Sequence, residues 1–236
     1  MTSGNKAQAS PALPDFMTDP DAVCKDTATW RIGRAPDYSN TRKYQSRTKT
    51  ADHQIGSLPN LVENLVKNWE IEASFKTDTK QYRTVHPTEY EFYVNGKKLQ
   101  DVESMTKTGT YNALISPNEY YSPEHIDFVE SHKLFKRCMP TFAWEVIEVY
   151  SGPPKAAFKW RHWGEMKADY KGKNREGKEV IIPAHGGLVE IFGVSVAELD
   201  DEYRIKRLDT WFDPVSLFKE YSCPALAGLA GLKMSE

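Results

Sequence analysis

Apolar residues first recur with a regular period after Ser57, where Leu58, Leu61, Val62, Leu65, Val66 and Trp69 form one stripe at helical spacing. Ser57 stands where an N-cap belongs and Pro59 is tolerated in a first turn, so a helix is predicted from 58 to about 76. The stretch TEYEFYVN (88–95) has the look of a short strand ended by Asn95-Gly96, a turn dipeptide. No single period runs through ESMTKTGTYNALISPNEYYS, whereas HIDFVESHKLFKRCM (125–139) carries apolar residues at mixed helical spacings and is assigned as a helix.

Beyond residue 142 the period shortens to two. Strands are predicted over 144–150 and 156–163, joined at Ser151-Gly152-Pro153-Pro154, and over 188–199 and 203–212, joined at Asp200-Asp201-Glu202. A short helix over 214–221, capped by Asp213, follows them. Helices first and antiparallel strands afterwards define an α+β fold, with helices on one face of a curved antiparallel sheet. Residues 1–26 lack periodicity and are expected to be a disordered tail. Residues 27–56 are expected to form an extended arm anchored by Trp30, Tyr38 and Tyr44, residues 57–222 the domain, and residues 223–236 a C-terminal tail.

Composition narrows the function classes. With 39% hydrophobic and 27% charged residues, 236 residues suffice for one sizeable core. Lys and Arg number 31 against 33 Asp and Glu, so no basic excess points to a nucleic acid or an anionic membrane surface. Cys24, Cys138 and Cys223 are far apart and form no CxxC pair, as expected of reduced thiols in the cytoplasm. The N-terminus shows no apolar run of secretory type, nothing approaches a membrane span, and no Asn-x-Ser/Thr acceptor occurs. A cytoplasmic location is expected.

Candidate chemistry lies in the strands. Alternation puts Ala156, Phe158, Trp160 and His162 on one face, so His162 is expected to look inward, where an imidazole can transfer protons near neutral pH. The alternative is a core histidine held by a carbonyl or a tyrosine hydroxyl. On the last strand Asp209 and Asp213 share a face with Trp211, and either could act as base or orient His162. Equally, Asp213 could cap the helix after it, and Asp209 could pair with Arg207 or Arg204. Glu148, on the predicted face of Trp144, Val146 and Tyr150, is a better buried candidate than Glu145. His185 precedes a glycine pair and is either a site residue or a loop histidine. His125 and His132 lie on one helix face without a carboxylate to complete a zinc site, so no metal is expected. Aromatic residues make up 12% of the chain, and Trp144, Trp160, Trp163 and Trp211 fall on strands. Such a sheet packs a core or walls a pocket for a flat, apolar, ring-bearing ligand.

The run FAWEVIEVYSGPPKAAFKWRHWG (142–164) resembles the pathogen-related protein family of plants and fungi. GSLPNLVENLVKNWEIE resembles the family's amphipathic helix, GTYNALI its Ser-Tyr-Asn-Ala-Leu stretch and TWFDPVSLF its Tyr-Asp-Pro ending, so the likeness spans roughly residues 28–222. That family is similar to the SnoaL-like group of the nuclear-transport-factor-2-like superfamily, which includes polyketide cyclases, ketosteroid isomerase and scytalone dehydratase. The resemblance implies a cone-shaped sheet around a deep pocket, cofactor-free acid/base catalysis on an aromatic or polyketide-like substrate, and a homodimer formed through the open sheet face. It makes His162 and Asp213 the leading acid/base pair, while Asp209 and Glu148 remain candidates from the strand pattern alone. Trp69, Tyr111, Phe158, Trp160 and Trp211 become pocket walls, and Trp144, Tyr150 and His185 complete the expected substrate contacts. Ile32 and Phe75 stand where the family pattern usually has histidine. A non-catalytic module that sequesters an apolar small molecule is the competing expectation.

Overall fold

The computed structural model describes residues 12–222. Helices α1 (Asp15–Thr18), α2 (Ser39–Thr48) and α3 (Leu58–Phe75) come first. They are followed by β1 (Glu91–Val94), β2 (Lys97–Asp101), α4 (Val102–Thr108), α5 (Thr110–Leu114) and α6 (Phe128–Cys138). The chain then runs through β3 (Ala143–Ser151), β4 (Lys155–Glu165), β5 (Tyr170–Lys173), β6 (Glu179–Ile182), β7 (Leu188–Leu199), β8 (Ile205–Phe212) and α7 (Ser216–Ser222). Six strands make one sheet in the order β2-β1-β8-β7-β4-β3, and β5 and β6 form a separate hairpin. This is the expected α+β arrangement of a curved sheet and helices around a pocket. One pairing departs from the antiparallel expectation: β1 runs parallel to β8.

Helix α3 sits where predicted. Ser57 is extended at its N-cap, without a side-chain capping bond, and Pro59 lies in the first turn. Val62, Leu65 and Trp69 are buried as the stripe requires. Helix α6 begins with a capping box, in which Asp127 and Glu130 exchange side-chain and backbone bonds. The long pairing of β4 with β7 runs without a break from Lys155↔Glu198 to Glu165↔Leu188 and forms the centre of the sheet.

Three expectations need correction. The supposed tail is packed from residue 12 to 26: Phe16, Met17 and Val23 are in the core. The reason is polar. Asn64 Nδ2 donates to the Met17 carbonyl at 3.0 Å, Asn68 Nδ2 to those of Phe16 at 3.0 Å and Asp19 at 2.7 Å, and Asn68 Oδ1 accepts from the Val23 amide at 3.0 Å. Two asparagines on α3 thereby hold a segment with no periodicity of its own; residues 1–11 lie outside the described residues.

The arm is not extended, because α2 is helical. Its two buried residues, Thr41 and Gln45, are polar, so no apolar stripe announced it. Tyr38, just ahead of it, anchors the arm by donating to Glu70 Oε2 at 2.6 Å. The third correction concerns β3, where a register irregularity between Val146 and Glu148 turns Glu148 to the outer face, while Glu145, on the face opposite Trp144 as predicted, is covered there by the arm. Glu148 points into solvent and Glu145 is buried. Glu145 accepts from the amides of Thr50 and Ala51 at 3.0 and 3.1 Å and pairs with Arg161 at 3.1 Å, tying the end of the arm to the outer face of the sheet. The C-terminal tail expected over 223–236 lies outside the described residues.

The same arm, together with Glu63 of α3, covers part of the β3 edge. Gln45 donates to the Trp144 carbonyl at 2.9 Å, Glu63 accepts from the Val146 amide at 3.0 Å, and His53 Nε2 meets the Val146 carbonyl at 2.7 Å. Backbone groups that would otherwise present an open strand edge are satisfied by side chains.

If Asn68 holds the N-terminal segment, Asn68→Leu leaves the Phe16 carbonyl and the Val23 amide unpartnered and the Asp19 carbonyl with only its bond from the Ala22 amide. The expected loss is about 3 kcal/mol or more of unfolding free energy in urea titrations, with proteolysis appearing first between residues 12 and 26. An unchanged midpoint and cleavage pattern would sink this assignment.

Candidate functional site

Between the inner face of the sheet and helices α2, α3, α5 and α6 lies a cavity of about 150 Å³. Each element contributes by its own period. Helix α3 turns Val66, Trp69 and Glu70 toward it, β4 gives the alternating Phe158, Trp160 and His162, and β8 gives Leu208, Thr210 and Phe212. Phe92 from β1 meets Trp69 at 5.6 Å between ring centroids, while Phe142 and Trp144 close the β3 side. Trp160 lies across Gly193 of β7, where a Cβ would come within 2.2 Å of the indole. Glycine there lets the ring cross the neighbouring strand and donate from Nε1 to Ser195 Oγ at 2.9 Å.

His162 is inward, as the alternation predicts. Its ring lies tilted against Phe142 with centroids 3.5 Å apart, and Nδ1 is buried without a hydrogen-bond partner. The surface the ring still offers opens on the cavity, with protein around it. Loss of solvation, with a smaller contribution from the Lys136 charge, lowers its pKa from 6.5 to about 3, so at neutral pH the imidazole is uncharged. His132, on α6, also lines the cavity. It packs against the rings of Phe75, Tyr111 and Phe128 and contacts Thr110 Oγ1 at 3.3 Å. Burial, then the charges of Lys136 and Arg31, lower its pKa to about 4.

The expected acidic partners of His162 are elsewhere. Asp209 is on the outer sheet face, in a two-point pair with Arg207 at 2.6 and 3.0 Å. The alternation along β8 is as read, but the face bearing Leu208 and Thr210 is the inner one. Asp213 is exposed and accepts from the Val215 amide at 2.9 Å, as a residue leading into a helix does. Glu148 and Tyr150 are in solvent beyond the β3 irregularity, and Trp211 is 44% exposed on the outer face. His185 is a loop fastener: Nδ1 accepts from the Gly187 amide at 2.9 Å and Nε2 donates to the Glu220 carbonyl at 3.1 Å. Trp69, Tyr111, Trp144, Phe158 and Trp160 do reach the cavity.

The carboxylate among the cavity's lining residues is Glu70, which the sequence reading missed. Its Oε2 accepts from Tyr38 and its Oε1 from Ser74 Oγ at 3.0 Å. The available signal was position: residue 70 follows Trp69 and lies four after Val66, next to the apolar stripe. At the mouth, Arg42 pairs with Asp21 at 2.8 Å and Lys67 with Glu63, while Lys136 stands over the Tyr38 ring at 5.1 Å. At the inner end Ser195 and Thr210 share a hydrogen bond of 2.9 Å. Among the described residues no group of three or more His, Cys, Asp or Glu side chains is placed to hold a metal ion. No helix among them is long and apolar enough to cross a membrane.

Fold and cavity define a class: a small α+β pocket protein whose sheet encloses an aromatic-walled chamber with a few polar groups. The chain is 31% identical over 218 residues to the pathogen-related protein of barley, Hordeum vulgare, covering 84% of this chain and 89% of the relative, and it belongs to the pathogen-related protein family. No general family model matches it. Among solved structures it is similar to a candidate SnoaL-like polyketide cyclase from Jannaschia, at TM-score 0.40 and 11% identity over 74% of this chain and all of the other. A protein with a ketosteroid isomerase-like fold from Catenulispora acidiphila is similar at TM-score 0.38 and 8% identity, over 68% of this chain and 93% of the other. Likeness at this distance adds nothing to what the strand order shows.

The depressed histidine has a consequence for stability. Unfolded, His162 takes up a proton near pH 6.5; folded, it does so only near 3, so its contribution is present above pH 6.5 and lost as pH falls toward 3. Between pH 7 and 5 this amounts to about 2 kcal/mol. His162→Gln should flatten the fall in melting temperature over that interval, and an identical fall in both proteins would refute the buried neutral imidazole.

Proposed function

We propose that the protein is a cofactor-independent acid/base catalyst that isomerises, cyclises or dehydrates an aromatic or polyketide-like small molecule. The observation that carries this reading is the presence, in one aromatic-walled cavity, of both a carboxylate and an uncharged imidazole, Glu70 and His162. Glu70 takes the place intended for Asp209, Asp213 or Glu148. It removes a proton from carbon or from a phenol, and the hydroxyl of Tyr38 stands ready to stabilise the carboxylate or relay the proton. His162, with its pKa so low, is a weak base. Its role is that of a neutral donor, holding the oxygen on which negative charge develops, in a site with little water to compete. Phe158, Trp160 and Trp69 hold the ring system in place, and positioning contributes alongside the on the order of 100- to 10,000-fold available from proton transfer.

The free thiols Cys24 and Cys138 accord with work in a reducing compartment such as the cytoplasm. One specific feature favours a second reading, a binding module without turnover: both Glu70 oxygens already accept hydroxyl bonds within the protein, as a structural carboxylate would. A homodimer belongs to either reading. Phe192, Val194 and Trp211 are 49%, 38% and 44% exposed on the outer sheet face, Val194 and Trp211 directly paired across β7 and β8.

Two experiments test this. Purified protein incubated with plant or fungal aromatic metabolites should convert one of them to a product of equal mass, or of mass less one water. Glu70→Gln should stop conversion while the substrate still raises the melting temperature. A melting shift without conversion in the unaltered protein would establish the binder instead. For the assembly, Trp211→Asp should move the sedimentation coefficient from dimer to monomer; a protein already monomeric at high concentration removes the dimer.

A further inference from the structure

We infer that the cavity is built for an aromatic ligand carrying one carboxylate, and that Lys136 is the side chain that holds it. This rests on the cavity being a small-molecule site and names what that site prefers. The cations around the mouth differ in one respect. Arg42 is engaged by Asp21 through Nε and Nη2, and Lys67 by Glu63. Lys136 has no carboxylate within ion-pair distance among the described residues, yet it lines the cavity and its ammonium is held 5.1 Å above the face of Tyr38. Arg42 lies 5.2 Å from the same ring, so the phenol of Tyr38 is bordered by two cations while its hydroxyl is turned away to Glu70. An exposed lysine with no cavity beside it would carry no such meaning. Here the charge stands at the opening of a chamber whose His162 Nδ1 is buried and unsatisfied.

Size sets the rest of the ligand. A chamber of about 150 Å³ is the volume that takes a benzene-sized ring, smaller than the ~300 Å³ or more of most ligand pockets. One ring or two fused rings fit inside, and a substituent on that ring must project toward the mouth. A carboxylate placed there meets Lys136, while Glu70, which also lines the chamber, is already hydrogen-bonded on both oxygens by Tyr38 and Ser74. The structure therefore favours the free acid over its neutral ester and disfavours an amine in the same position.

Calorimetric titration with 2-naphthoate, methyl 2-naphthoate and 2-naphthylmethylammonium tests this without any turnover. The acid should bind about fivefold more tightly than the ester, the range of a partly screened ion pair. Lys136→Gln, an exposed substitution whose folding is checked by its melting temperature, should erase that preference while leaving the ester's affinity unchanged. If the ester matches the acid, if the ammonium compound binds best, or if Lys136→Gln keeps the preference, the carboxylate anchor is wrong while the cavity still binds rings. If none of the three binds, the inference falls together with the small-molecule reading beneath it.

Discussion

A helix surrounded by protein must satisfy its own polar side chains, and in this molecule that demand falls on α3. Asn64, Asn68, Glu72 and Ser74 are all buried along it. Glu72, with no accessible surface, accepts from the amides of Arg83 and Thr84 at 2.9 Å and pairs with Lys76, itself fully buried, at 2.7 Å. Leaving any of these groups unpartnered would cost far more than each bond contributes. The surrounding segments are thus bound to α3 by polar bonds on one side and by Val62, Leu65 and Trp69 on the other. Val66, Lys67, Trp69 and Glu70 are the residues of α3 that border the cavity.

That division explains how a hollow survives in a closely packed interior. The inner sheet face supplies large rings that cannot fold back onto one another: Trp160 is held by Ser195, Trp69 donates to the Tyr90 hydroxyl at 3.0 Å, and Tyr111 stacks on Phe135 at 4.2 Å. Each is fixed by a bond or stack, so none is free to fill the chamber. His132 and His162 belong to the same economy of charge. Both are kept neutral by burial, while the buried cation Lys67 is paired with Glu63 and Lys136 is exposed.

What the sequence disclosed follows from which forces leave a period. Helix α3, β4, β7 and β8 are set by apolar alternation and were legible nearly to the residue. Trp69, Phe158, Trp160 and the inward turn of His162 came with them. Helix α2 and the segment over 12–26 are held by hydrogen bonds from Gln45, Asn64 and Asn68, and a hydrogen bond over fifty or a hundred residues has no period. The acidic partner was misplaced for two local reasons. On β8 the strand pattern is correct but does not say which of two mixed faces is inner, and on β3 an irregularity beyond Val146 turned Glu148 outward. Glu70 was overlooked because a glutamate beside an apolar stripe is ordinarily a solvated flank.

The bonds from Gln45, Glu63 and His53 to β3 also decide how copies of this chain can meet. A sheet grows sideways only where a strand offers free amides and carbonyls, and at β3 the groups of Trp144 and Val146 are taken by Gln45 and His53 of the N-terminal arm and Glu63 of α3. The opposite border is β2, five residues long with Lys97 and Lys98 upon it, a poor template for recruiting a neighbour. Lateral polymerisation of the kind that ends in fibrils is therefore obstructed at both margins, and severing the arm would uncover one of them.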